Sequence, residues 1–243
     1  MNTLISLPFV IFCTISILAY SFFSFLGKKE VVYWLGKSHS KKDTAKQNIL
    51  WLSLAIIFCL IYYSAISFSL NGNIFLTKEG YLNICLICCW LGILINLGKI
   101  DHKNRLLPYS LTITLIILGL FFHCVNDSKQ FFFKLMSVFF CLSFLFILRK
   151  ITKFFLTRNR KVDPIGVGDI FFIAGLASWV DIYFLSIITL SASVGTLIFS
   201  YLNFKPFSEL IYKQIPLGPG LTVSGLTIGL FYLFPTTSLA SCL

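Results

Sequence analysis

Apolar stretches long enough to cross a bilayer as helices, about twenty residues each, recur along this chain and constrain it more than any other feature. We read them at Ile5–Leu26, Asn48–Leu70, Tyr81–Ile100, Pro108–Cys124, Phe131–Leu148, Ile170–Val180, Ile182–Leu202 and Leu221–Phe234. The sixth is too short to cross alone. It reads as a half-length element, or as one that packs against the seventh with Asp181 at a bend. The eighth is also short. Of the 243 residues, 57% are hydrophobic and only 12% charged, where a soluble domain carries about 25% charge. The expected fold is all-α: a polytopic membrane protein of about eight transmembrane or half-membrane helices, forming a single integral membrane domain over residues 1–243.

The net charge is +11, which in a soluble protein would point to nucleic acid. Here no basic run is interleaved with stacking aromatics outside the apolar spans, so no nucleic-acid partner is expected. The bilayer itself is the expected surrounding. The lysines and arginines instead report topology, because cytoplasmic loops carry their excess. With the first loop cytoplasmic, 17 of them fall on the inner side and Lys78, Lys129 and Lys134 on the outer. Both termini are then outside. Ile5–Leu26 lacks a basic n-region and a small-x-small cleavage site, so it reads as an uncleaved first span. The loops Gly27–Gln47 and Arg149–Gly168 are the only sizeable cytoplasmic segments expected. Their charge suits a solvated juxtamembrane face or contact with anionic lipid or a charged peptide.

Seven of the eight cysteines lie in apolar runs, where a free thiol behaves as a small hydrophobe. Cys85-Leu-Ile-Cys88 has the spacing of metal ligands, but no second pair sits in a polar loop to complete a set of about four. Neither a metal nor a disulfide framework is expected.

The chain has nine acidic residues, so each can be weighed. Glu30 and Asp43 sit among lysines, Glu79 and Asp127 in short outer loops, and Glu209 in the last inner loop. These five read as solvated, and Asp181 as part of an outer turn. Asp163, Asp101 and Asp169 remain, all on the cytoplasmic side. Asp163 precedes Pro164 and reads as a turn residue. Asp101 closes one apolar run and Asp169 opens another, so both lie at helix ends near the membrane boundary. A carboxyl at that depth is costly unless paired, and marks a candidate site. Asp169 also suits the first turn of a helix, as a capping acid. Two carboxyls brought together do not both ionise easily, so one holds a proton while the other is charged. Such a pair can activate water and protonate a leaving amine. Gly166 and Gly168 precede Asp169. With no Cβ they allow close backbone approach and positive φ, so an extended substrate could lie against that loop.

Gly166-Val167-Gly168-Asp169 resembles the GxGD signature of intramembrane aspartic proteases. Ile100-Asp101-His102-Lys103-Asn104-Arg105-Leu106-Leu107-Pro108 is similar to the first-aspartate segment of type IV prepilin peptidases. Gln214-Ile215-Pro216-Leu217-Gly218-Pro219 resembles the stretch those enzymes carry before their last helix. The three matches occur in the family's order, and the resemblance covers about residues 81–234, the expected catalytic core. It implies an aspartic endopeptidase of a bacterial inner membrane, with its active site toward the cytoplasm. The substrates implied are prepilins or pseudopilins, cut between a basic leader and a hydrophobic stretch. Asp101 and Asp169 would be catalytic, Gly166 and Gly168 would shape the loop, and no metal or other cofactor is needed for proteolysis. Pilus or secretion machinery would be the setting. S-adenosylmethionine enters only if the family's second activity, N-methylation, is present. Three departures stand out. Tyr109 replaces the acid that usually follows Leu-Leu-Pro, Phe171 replaces a frequent lysine two residues after the second aspartate, and Gly27–Gln47 lacks the family's two Cys-x-x-Cys pairs. Two other readings fit the same acids: a proton-relaying transporter, and a catalytically inactive assembly protein that keeps the fold.

Overall fold

The computed structural model describes residues 3–39, 53, 56–57, 78–156, 165–203 and 217–233. Among these residues there are seven helices and no strand: α1 (Thr3–His39), α2 (Lys78–Asn104), α3 (Tyr109–Asn126), α4 (Ser128–Leu156), α5 (Val167–Ala177), α6 (Ile182–Asn203) and α7 (Gly218–Leu233). The expected all-α class holds. The second expected span, Asn48–Leu70, lies outside the described residues apart from positions 53, 56 and 57, as do Asp163 and the segment Gln214–Pro216. Among the described residues, three helices are long and apolar enough to cross a membrane, over Leu82–Asn104, Tyr109–Asn126 and Ser128–Phe155. The helix α5 is 11 residues long, about 16 Å at 1.5 Å per residue. It is a half-length element, followed by a turn at residues 178–181 and then α6.

One boundary differs from the sequence reading. The segment after Leu26 is not a loop: α1 continues as helix through its lysines to His39, with a break in helical geometry only at Gly36, where φ is +71°. Nothing in Gly27–Leu35 breaks a helix except Gly27 itself, and isolated glycine is tolerated there. The polar half of α1 therefore stands beside the ends of its neighbours instead of looping away.

The helix α2 is the centre of the bundle. Residues 90–101 are all buried, so this stretch is covered on every side, as a core helix is. It packs against α1, α3 and α7, while α5 lies among α3, α4, α6 and α7. Small residues set the closest approaches, as is usual between membrane helices. A Cβ at Gly98 would fall 2.5 Å from the Thr222 hydroxyl, whose Oγ1 donates to the Leu94 carbonyl at 3.0 Å. The helix α4 is the opposite case. Phe132, Phe133, Phe139, Phe140, Phe144 and Phe154 are exposed along it, which is the surface a lipid-facing helix presents.

Candidate active site

The site assembles at one end of the bundle. Asp101 lies in the last turn of α2, and Arg105 ends that helix with φ +53° and its N–H on the Asp101 carbonyl at 2.8 Å. Four residues after Asp101 the chain has turned, and Pro108 caps the start of α3. Asp169 lies in the first turn of α5, whose N-cap is Gly166. Its carboxylate lies close to the Gly166 backbone, where a Cβ would meet Oδ2 at 2.7 Å. The side chain of Asp101 is buried, at 5% exposure, and Asp169 is half-buried.

The fold brings these two carboxylates, 68 positions apart in sequence, into one electrostatic neighbourhood. Neither forms an ion pair among the described residues. Asp101 is held instead by α7. The Gly218 N–H donates to its Oδ2 at 2.8 Å in a buried bond. Gly218 opens α7, so this N–H is one of the helix-terminal donors with no partner inside the helix. The fit is tight: a Cβ on Gly218 would sit 2.6 Å from Asp101 Oδ2 and 2.7 Å from its Cβ.

The two glycines before Asp169 do different work from each other. A Cβ on Gly166 would meet Asp169 Oδ2 at 2.7 Å, and one on Gly168 would meet the Leu107 Cβ at 2.7 Å. Gly168 thus lets the first turn of α5 press against the turn that follows Asp101. Neither glycine has positive φ, since Gly36 is the one such glycine among the described residues. Of the two uses expected for them, the geometry displays close approach and not the left-handed backbone. The two side-chain departures from the family pattern also meet here. Tyr109 and Phe171 lie edge to face at 5.9 Å, and Phe146 also lies edge to face with Phe171 at 6.1 Å. An aromatic cluster packs where the family places charges.

Two contributors were not read from the sequence. Gly218 stood only inside a resembling stretch, with no role of its own. Glu30, expected as a solvated acid among lysines, instead accepts hydrogen bonds from the backbone N–H groups of Tyr109 at 2.8 Å and Ser110 at 3.0 Å, and from the Ser110 hydroxyl. The correction has a physical reason: the longer α1 carries Glu30 to the open N-terminus of α3. The capping-box signal that could locate such an acid is local, and this one acts from 79 positions away. Cys88, half of the possible metal pair, turns toward α1, where the Ser16 hydroxyl lies 3.2 Å from its sulfur.

Fold and site define a class: an all-helical membrane protein with two buried or half-buried carboxylates gathered at one end of its bundle. Within that class, residues 84–201 match the type IV leader peptidase family. The matched stretch contains Asp101, Asp169 and both glycines. Over 152 residues the chain is 32% identical to a prepilin leader peptidase/N-methyltransferase of Legionella pneumophila, covering 62% of this chain and 50% of that relative. The chain thus spans about half the length of the curated relative it matches. No solved structure matches it.

Proposed function

We propose that the chain is a membrane-embedded aspartic endopeptidase that removes the basic leader peptide from type IV prepilins or pseudopilins at the cytoplasmic face of a bacterial inner membrane. The observation that carries this is the electrostatic proximity of Asp101 and Asp169, beside the Leu107–Gly168 contact, within a region that matches the leader peptidase family. Two carboxyls so placed share a proton. The charged one takes a proton from water as that water attacks the scissile carbonyl, and the protonated one delivers its proton to the departing amine. The Gly218 N–H fixes Asp101, so this acid meets the substrate already oriented.

Charge supports the orientation. Lys28, Lys29, Lys99, Lys103, Arg105, Arg149, Lys150 and Lys153 all lie toward the end of the bundle that carries the dyad, with Lys129 and Lys134 toward the other. The Lys/Arg excess marks the cytoplasmic side. Reporter fusions at Lys41 and Arg158 should accordingly read as cytoplasmic.

Methyl transfer, named for the relative, is not carried over.

The test is co-expression with a prepilin, wild type against Asp169→Asn at matched protein level. Leader removal by the wild type alone is expected. Equal removal by both would end the aspartic reading.

A further inference from the structure

Glu30 sits outside the dyad, yet it grips the segment on which the dyad rests. The first amides of a helix have no intrahelical acceptor, and Pro108 at the N-cap of α3 contributes no side-chain cap. Glu30 of α1 supplies what is missing, one oxygen to Tyr109 and the other to Ser110. Carboxylate bonds of this kind to helix-terminal amides are charge-assisted and so stronger than neutral ones. A cap normally comes from the residue next to the helix. This one comes from another helix, so it fixes α1 and the start of α3 against each other as well as satisfying two donors.

What lies between the fixed points is the turn 105–108. At its α2 end, Arg105 holds positive φ, a conformation that persists in a non-glycine residue only where the surroundings enforce it. At its α3 end stands the Glu30 clasp. Leu107 lies in the middle, buried, and is the nearest neighbour of Gly168, one residue before Asp169. The chain of contacts therefore runs from Glu30 through Tyr109–Ser110 and Leu107 to Gly168 and Asp169.

We propose that Glu30 is a positioning residue for the dyad, holding Leu107 against Gly168 so that Asp169 keeps its place relative to Asp101. This rests on the peptidase reading and adds to it a residue from the first helix, outside the stretch that matches the family. Glu30 touches neither reacting carboxyl; it acts through the turn.

The experiment uses the full chain in lipid nanodiscs with a purified prepilin, and measures kcat and KM for wild type, Glu30→Gln, Leu107→Ala and the double variant. Glutamine keeps the shape but can accept through only one oxygen. Losing a charge-assisted bond should lower kcat about tenfold in Glu30→Gln, with KM within about twofold. Because both residues act through one contact, the double variant should fall no further than about twofold below the worse single. A merely structural role would lower the folded fraction and leave kcat per folded molecule unchanged. Amide hydrogen exchange gives a readout independent of catalysis: Tyr109 and Ser110 should exchange faster in Glu30→Gln, while the far end of α3 stays as it was. Wild-type kcat in Glu30→Gln, or losses that multiply in the double variant, would overturn the proposal. A wild type that leaves prepilin uncut would sink the peptidase reading instead. The exchange arm would still decide the clasp, since unchanged exchange at Tyr109 and Ser110 would refute it.

Discussion

The two ends of the bundle treat buried charge in opposite ways. At the dyad end, Asp101 and Asp169 share one electrostatic neighbourhood, and Asp101 accepts the Gly218 N–H. At the other, Lys134 of α4 is buried at 6% exposure and bonds Asp181, which is 54% exposed, at 2.7 Å. His123 of α3 lies beside them, its Nε2 3.4 Å from the Trp179 carbonyl. Along α3, Tyr109 and His123 are about 21 Å apart at 1.5 Å per residue, so the two regions are separate. An acid neutralised by a cation closes the turn between α5 and α6 and has little reason to move a proton. Acids that share a neighbourhood hold electrostatic tension that chemistry can use. The difference teaches that an acid in a membrane bundle is best judged by its partner, and not by its depth.

The largest effect that sharpens this contrast is expected at Gly218. In Gly218→Ala the new methyl collides with Asp101, and a displacement of about 1 Å at a reacting group can cost about a hundredfold in rate. Cleavage should fall by roughly that factor while folded protein accumulates, as measured by processing at matched expression. Near-normal cleavage would mean that Asp101 does not need the amide of α7.

At the other end the pattern should invert, with stability lost and catalysis spared. Asp181→Ala removes the carboxylate that neutralises a buried ammonium. Breaking a fully buried pair costs about 3–5 kcal/mol, and the exposure of Asp181 lowers the expectation to about 1–2 kcal/mol. Lys134→Met removes the buried charge itself and should cost less than Asp181→Ala. Thermal unfolding in detergent gives the order, and cleavage per folded molecule should stay within about twofold of wild type, as for changes remote from a site. Loss of cleavage without loss of stability would erase the distinction between the ends.

The smallest effect belongs to Asp163→Asn. This residue lies outside the described residues, and its place before Pro164 suits a turn. Most leader removal should remain, measured against Asp169→Asn in the same cells.

Much of the fold and the two central residues are legible because membrane spans write their ends into the sequence. An apolar run that stops at Lys99-Ile100-Asp101, and another that starts at Asp169, are enough to place both acids at one depth. The short run before Asp181 marks a half-length α5 in the same way. What stays hidden depends on contacts between distant segments. Glu30 lies in a lysine-rich stretch that reads as loop, and its role follows only from α1 continuing as helix past the start of α3. The Lys134–Asp181 pair joins two residues that each look like outer-loop charges. The close packing of Gly168 on Leu107 is set by how two helix ends meet, which no local pattern encodes.

The central claim is that Asp101 and Asp169 act as one unit. The most direct measurement is the processed fraction of a co-expressed prepilin for wild type, Asp101→Asn, Asp169→Asn and the double variant at matched folded protein. An amide keeps the carboxyl's shape but cannot exchange the proton that water attack requires. Each single change should therefore abolish leader removal, and the double should be little worse than either, as groups that work together are non-additive. Full processing by either single variant would contradict the account.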